Sequence, residues 1–91
     1  MRIKWDERKR RTNLRQHGLD FVDAEQIFKS ETLTIIDDRF DYDEIRYVSF
    51  GMLQDIVVAV VYTETDETIR VISLRKATRN EEREYYAKIR D

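Results

Sequence analysis

The run IVVAVVY, residues 56–62, decides how the rest of the chain can be arranged. Every position is apolar or aromatic, so a strand formed there is expected to be covered on both faces, as a central strand of a sheet is. The run is also too short for a membrane helix, which needs about 20 consecutive apolar residues. It therefore predicts the middle strand of a small sheet and no membrane span.

Three other segments have the composition of strands. They are TLTIID (32–37), EIRYVSF (44–50) and TIRVISLR (68–75). Each is rich in β-branched or aromatic residues, and most of the separators between them are short and polar. The four strands are therefore predicted to form an antiparallel meander. The opening RIKW (2–5) alternates polar and apolar residues like one more short strand.

Helix signals precede the meander. Asp6 can cap a helix that continues to Gly18, because an aspartate oxygen accepts from the first free N–H groups and glycine ends helices readily. A second helix is predicted from Asp20, with four apolar residues on one face: Phe21, Ala24, Ile27 and Phe28. This second helix is amphipathic and is expected to pack on the sheet.

A last helix follows the meander. Thr78 and Glu81 form a T-x-x-E capping box, which marks a helix start. Four residues of this helix are predicted to share a face: Glu82, Tyr85, Tyr86 and Ile89. The whole order predicts one α+β domain over residues 1–91, with the N-terminal helices and the C-terminal helix packed on an antiparallel sheet.

The composition narrows the class of protein. The chain has no cysteine and one histidine, so we expect no disulfide, no zinc site, no other metal site and no cofactor. The N-terminus has cations without the apolar stretch of a signal peptide, and the absence of proline leaves no linker. The expected location is the cytoplasm.

The net charge of −2 hides a strong segregation. Residues 1–17 carry seven Lys/Arg against two Asp/Glu, and residues 69–91 carry seven against four. Residues 18–44 carry two Lys/Arg against nine Asp/Glu, so the ends are basic and the middle is acidic. Basic termini that meet in the fold would form a surface for a polyanion. Ordinary solvated charge is the alternative interpretation.

Cations concentrate in RVISLRKATR, residues 70–79. Strict alternation along the strand places Arg70 on one face and Arg75 on the other. The capped helix begins directly afterwards, so Arg79 and Arg83 lie one turn apart near a helix N-terminus, where phosphate is favoured. The alternative is a strand whose ends leave the core, with its arginines extending to water.

Three residues are candidate acids or bases. Glu82 is predicted on the apolar face of the last helix, where it would pair with Arg70 or Arg75, orient one of them, or act as a base. In DYDEIRY (41–47), Glu44 and Arg46 are predicted to project from one strand face, with the same alternatives. His17 precedes Gly18 at the predicted helix end, where a histidine commonly satisfies terminal carbonyl groups. That structural role is the first interpretation of His17, and a catalytic role is the alternative.

The chain resembles the BrnT family, the toxins of bacterial type II toxin-antitoxin pairs. The resemblance rests on five segments in order: IKWDERKRRTNLRQHGLDF, AEQIF, DEIRYVSFG, VVYT and IRVISLRKATRNEEREYY. The chain departs from the family at two places. Leu74 stands where the family usually has a small residue, and residues 43–46 read DEIR where the family usually has GEER, so Asp43 and Ile45 differ.

The resemblance implies a small RelE-like fold and a ribonuclease that halts translation, and the composition predicts that this ribonuclease works without a metal. The resemblance also implies neutralisation by a BrnA-like antitoxin with a ribbon-helix-helix part, and binding of operator DNA only as the toxin-antitoxin complex. The expected catalytic residues are Arg70, Arg75, Glu44, Glu82 and His17. The expected RNA-binding residues are Lys76, Arg79, Arg83 and Arg46.

Two other functions are compatible with the same basic edge. A non-catalytic module would bind RNA or the ribosome without an aligned base. A pure interaction protein would act only through its antitoxin partner.

Overall fold

The computed structural model describes residues 1–39 and 43–89. Its elements are β1 (Arg2–Trp5), α1 (Glu7–His17), a 3₁₀ turn (Phe21–Asp23), α2 (Ala24–Lys29), β2 (Leu33–Ile36), β3 (Tyr47–Leu53), β4 (Ile56–Thr65), β5 (Thr68–Lys76) and α3 (Arg79–Ile89). The predicted α+β order is confirmed. The second predicted helix differs at its start, since a 3₁₀ turn capped by Asp20 precedes α2.

The five strands form one sheet in the order β1-β5-β4-β3-β2. β4 is central and is buried from Val57 to Thr63, as its apolar run predicts. β2 to β5 form the predicted antiparallel meander, whereas β1 pairs with β5 in parallel, with Ile3 opposite Ile69. The sheet is therefore mixed. Alternation in RIKW indicates a strand, but it carries no information about the partner.

Each face of the sheet has its own core. On the first face, the 3₁₀ turn and α2 bury Phe21, Ala24 and Ile27 against β4 and β5. On the second face, Tyr85 of α3 packs with β3 and β4 residues such as Phe50 and Ala59. α3 packs against β2 and β3, and part of β5 on this face remains accessible, including the exposed Arg70.

The helix ends follow the local signals. Asp6 accepts hydrogen bonds from the N–H groups of Arg8 and Lys9, and Gly18 adopts a left-handed conformation with φ of 70°. Thr78 and Glu81 form the predicted capping box, with the two reciprocal hydrogen bonds at 2.8 and 3.2 Å. Among the described helices, none is long and apolar enough to cross a membrane.

One buried amide attaches α1 to the sheet. Asn13 donates through Nδ2 to the Leu74 carbonyl at 2.8 Å and accepts from the Leu74 N–H through Oδ1 at 3.1 Å. β1 pairs with β5 only as far as Val71, so the Asn13 amide supplies the partner that a longer β1 would have supplied. Leu74 itself is fully buried in the core of the first face.

Candidate nucleic-acid interface

A bulge in β5 decides which face its arginines occupy. Val71 lies opposite Tyr62 and Ser73 opposite Val61, so the intervening Ile72 has no opposite residue on β4. An extra residue inverts the alternation beyond it. Arg70, opposite Thr63, and Arg75, opposite Ala59, therefore share the second face. The sequence-based prediction that they lie on opposite faces was wrong, because it assumed an unbroken period of two.

Arg75 is held by Glu81 of α3. Nη1 donates to Oε1 at 2.7 Å and Nη2 donates to Oε2 at 3.0 Å, which is the two-pronged geometry of a strong arginine–carboxylate pair. The Arg75 guanidinium lowers the pKa of Glu81 below its usual value, against the opposing effect of partial burial, and the Thr78 N–H acts in the same direction as Arg75. Glu81 therefore stays ionised and fixes the direction of Arg75.

Glu82 does not lie where the sequence predicted. Tyr85 points into the core, and Glu82 is exposed, with no side-chain hydrogen bond or ion pair to any part of the chain that the structure describes. Glu81, one helical turn before Tyr85, takes the arginine contact instead. The sequence did contain a signal for Glu81, since a capping-box glutamate is already placed at the helix start beside the preceding strand.

Arg70 is joined to the segment before β3. Its Nη2 lies 3.2 Å from Oε1 of Glu44, and the two side chains are 50% and 47% exposed. The strand predicted from Glu44 begins only at Tyr47, so Glu44 and the half-buried Arg46 lie in the connection that precedes β3. Glu44 thus reaches the arginine face from a neighbouring connection, whereas the prediction placed it on a strand.

The remaining predicted cations, Lys76, Arg79 and Arg83, do not all lie on the arginine-bearing side of the sheet. Lys76 is exposed and lies opposite Val58, whose side chain belongs to the first face. Arg79 begins α3 and Arg83 follows one turn later, both exposed. The N–H groups of Thr78 and Glu81 are already used by the capping box, so they are not free for an anion there.

His17 lies in a groove between α1 and β5. It is the last residue of α1, is exposed, and lines a groove of about 280 Å³ that also contains Ile72 and Ser73 of the bulge. Ser73 lies opposite Val61 and so faces the same side as Arg75. The groove therefore adjoins the arginine face. The basic helix α1 packs on β5, so the basic N-terminal segment contacts the basic C-terminal strand.

Across residues 1–39 and 43–89, no three histidine or carboxylate side chains come together as a metal site would need. The arginine face, defined by Arg70, Ser73 and Arg75, has two guanidinium groups and two carboxylates, Glu44 and Glu81, in ion pairs. Such an arrangement can bind phosphate and stabilise added negative charge.

Comparison with known proteins assigns the family. A family model described as "Ribonuclease toxin, BrnT, of type II toxin-antitoxin system" matches residues 5–81. No curated protein matches the chain significantly. The matched residues include all of α1, the whole meander, the bulge, both paired arginines and Glu81. The chain therefore belongs to the BrnT family of ribonuclease toxins of type II toxin-antitoxin systems.

Proposed function

We propose that the chain cleaves RNA without a metal ion on the arginine face, and that its antitoxin neutralises it by covering that face. The observation that carries the proposal is the β5 bulge, which aligns Arg70 and Arg75 on one accessible face. Glu81 holds Arg75 through two hydrogen bonds, and Glu44 forms a single exposed ion pair with Arg70. Preorganised donors of this kind stabilise charge that develops in a transition state.

The proposed reaction is a transfer within the RNA. A base removes the proton of a 2′-hydroxyl, whose oxygen then attacks the adjacent phosphorus. The bond from phosphorus to the 5′-oxygen breaks, and an acid delivers a proton to that oxygen. The products are a 2′,3′-cyclic phosphate and a free 5′-hydroxyl. Arginine side chains stabilise the doubly charged phosphorane between these states.

Arg75 retains donors for this task. A guanidinium has five N–H groups, of which two donate to Glu81 and one donates to the Lys76 carbonyl at 3.2 Å. The remaining two can contact phosphate oxygens while the contact to Glu81 persists. Within residues 1–39 and 43–89 the Arg70 side chain makes one hydrogen bond, to Glu44, and its exposure leaves it accessible to an RNA backbone.

The candidates for base and acid are Glu44, Glu82 and His17. Glu44 touches an arginine of the face directly, which supports it as the base. His17 lies in the adjoining groove and is a candidate acid. Glu82 is exposed on α3, one residue from Glu81. Glu81 is a positioning residue, since both its oxygens are used by Arg75 and its pKa is lowered.

The partner in this proposal is a BrnA-like antitoxin with a ribbon-helix-helix part. A type II toxin family implies an antitoxin. We propose that this antitoxin contacts Arg75 or Arg79 or blocks the space beside them, and that only the complex binds operator DNA. The chain alone has a net charge of −2, which gives it little general attraction to duplex DNA.

The test is cleavage of a single-stranded RNA by the purified chain under single-turnover conditions, with and without EDTA. We expect cyclic phosphate ends and an unchanged rate with EDTA. In cells, expression of the chain should arrest growth, and co-expression of the reading frame next to its gene, which is expected to encode the antitoxin, should relieve the arrest. Abolition by the chelator would contradict metal independence. Salt-dependent RNA binding without product would identify a binding module, and binding only to the antitoxin would identify an interaction protein.

A further inference from the structure

We infer that the groove between α1 and β5 binds the RNA strand beside the cleaved bond, an inference that rests on the proposed RNA cleavage. The groove holds about 280 Å³ and meets the arginine face at Ser73. Six of its lining residues carry the argument: Arg8, Lys9, Thr12, Gln16, Ile72 and Ser73.

The groove has a fixed wall. β1 ends opposite Val71, so no strand of the described residues neighbours the next part of β5 on that side. The two hydrogen bonds between Asn13 and Leu74 hold α1 there instead. The bulge places Ile72 and Ser73 in the groove. The same irregularity that aligns the arginines therefore also shapes this groove, next to where an RNA would be cleaved.

The groove has positive charge that is not held in a direct ion pair. Arg8 and Lys9 line it, and neither side chain has a hydrogen bond or ion pair with residues 1–39 or 43–89. Arg10, on the same helix, is already paired with Glu7 and Asp20. Asp6 interacts with the charges of Arg8 and Lys9 through space, but none of the described residues that line the groove is a carboxylate, so an RNA phosphate would enter without displacing an acid from it.

The groove also has uncharged polar groups that can hydrogen-bond to a nucleotide. Thr12, Gln16 and Ser73 offer hydroxyl and amide groups, which can hydrogen-bond to base edges and 2′-hydroxyls. By contrast, the groove beside Leu33 and Phe50 is mainly apolar, and its charged lining residues are two carboxylates, Glu81 and Glu84, against one cation, Lys88, which disfavours phosphate. Polyanion chemistry therefore assigns the RNA flank to the α1–β5 groove.

The experiment compares the groove variant Arg8→Ala/Lys9→Ala with the matched variant Arg11→Ala/Lys29→Ala. Both remove two exposed cations, and the second pair lies outside the groove. The substrates are a long single-stranded RNA and a dinucleotide with the same cleavable bond. We expect the groove variant to bind the long RNA on the order of tenfold more weakly, with a larger loss for the long RNA than for the dinucleotide. Its salt slope should become shallower by about 1.4, or roughly 0.7 per lost phosphate contact.

Equal affinity and salt slope in the two variants would overturn the inference, as would equal losses for both substrates. Thermal melting of every variant separates a binding defect from misfolding. A parent chain that binds but does not cleave RNA would contradict the proposed function only, because the affinity comparison still decides the role of the groove.

Discussion

Arg75 and Glu81 are joined by two parallel hydrogen bonds of 2.7 and 3.0 Å, and Oε1 of Glu81 also accepts the Thr78 N–H at 2.8 Å. One carboxylate therefore caps α3 and fixes an arginine of the sheet. The start of the helix and the direction of the guanidinium are coupled, so changes at either residue should affect the other.

Replacing Arg70 or Arg75 by alanine should lower the single-turnover cleavage rate by on the order of 100-fold, as loss of one preorganised donor does. Lysine at either position should restore only part of the rate, because an ammonium cannot make the two-pronged phosphate contact. Cleavage of a saturating single-stranded RNA measures the effect, and melting curves serve as the control. Alanine variants that melt and cleave like the parent would refute the mechanism.

Glu81→Gln should keep the capping box, since glutamine also accepts the Thr78 N–H, but it should weaken the contact to Arg75. We expect a loss of about 1 kcal/mol in the free energy of unfolding near neutral pH.

The pH dependence of this loss has a definite sign. The pKa of Glu81 is lowered in the folded chain from an ordinary value of 4.5, so its stabilisation is complete above that value and disappears as the pH falls through the folded-state pKa. Urea unfolding of the parent and of Glu81→Gln at neutral and acidic pH tests this. A difference that persists unchanged in acid would contradict the assigned charge pairing.

Asn13→Ala should destabilise the chain by about 2–4 kcal/mol, because the buried N–H and carbonyl of Leu74 both lose their partner. Arg11→Ala on the exposed side of α1 is the control and should stay within about 0.5 kcal/mol of the parent. Urea unfolding monitored by tryptophan fluorescence measures both. Equal midpoints would show that water or a shifted β1 replaces the amide without cost.

Antitoxin binding should weaken when Arg75 and Arg79 are both replaced by alanine, because a partner that covers the arginine face would lose a charged contact. Arg11→Ala/Lys29→Ala removes the same charge elsewhere and should bind like the parent. Titration calorimetry at two salt concentrations, with the protein from the neighbouring reading frame, is the measurement. Unchanged affinity in the first variant would place the antitoxin on another surface.

Features set by neighbouring residues were readable from the sequence. The Asp6 cap, the Gly18 helix end and the Thr78–Glu81 box depend on contacts within a few positions, and all are observed. The central place of β4 was also predictable, since an unbroken apolar run can be stable only with both faces covered. Arg75 was identified as a site candidate because cations cluster at the end of β5.

Features set by long-range pairing were not readable. The parallel partner of β1, the bulge at Ile72 and the amide contact of Asn13 to Leu74 each depend on register between segments far apart in the chain. A one-residue shift in register reverses the face of every later side chain, so the shared face of Arg70 and Arg75 could not follow from alternation. The exposure of Glu82 also depends on tertiary packing, because Tyr85 sets the rotation of α3, whereas the capping box was a local signal for the place of Glu81. The sequence by itself determined which elements form and where the capped helices begin, because those signals are local; only the tertiary structure decided which charged groups meet.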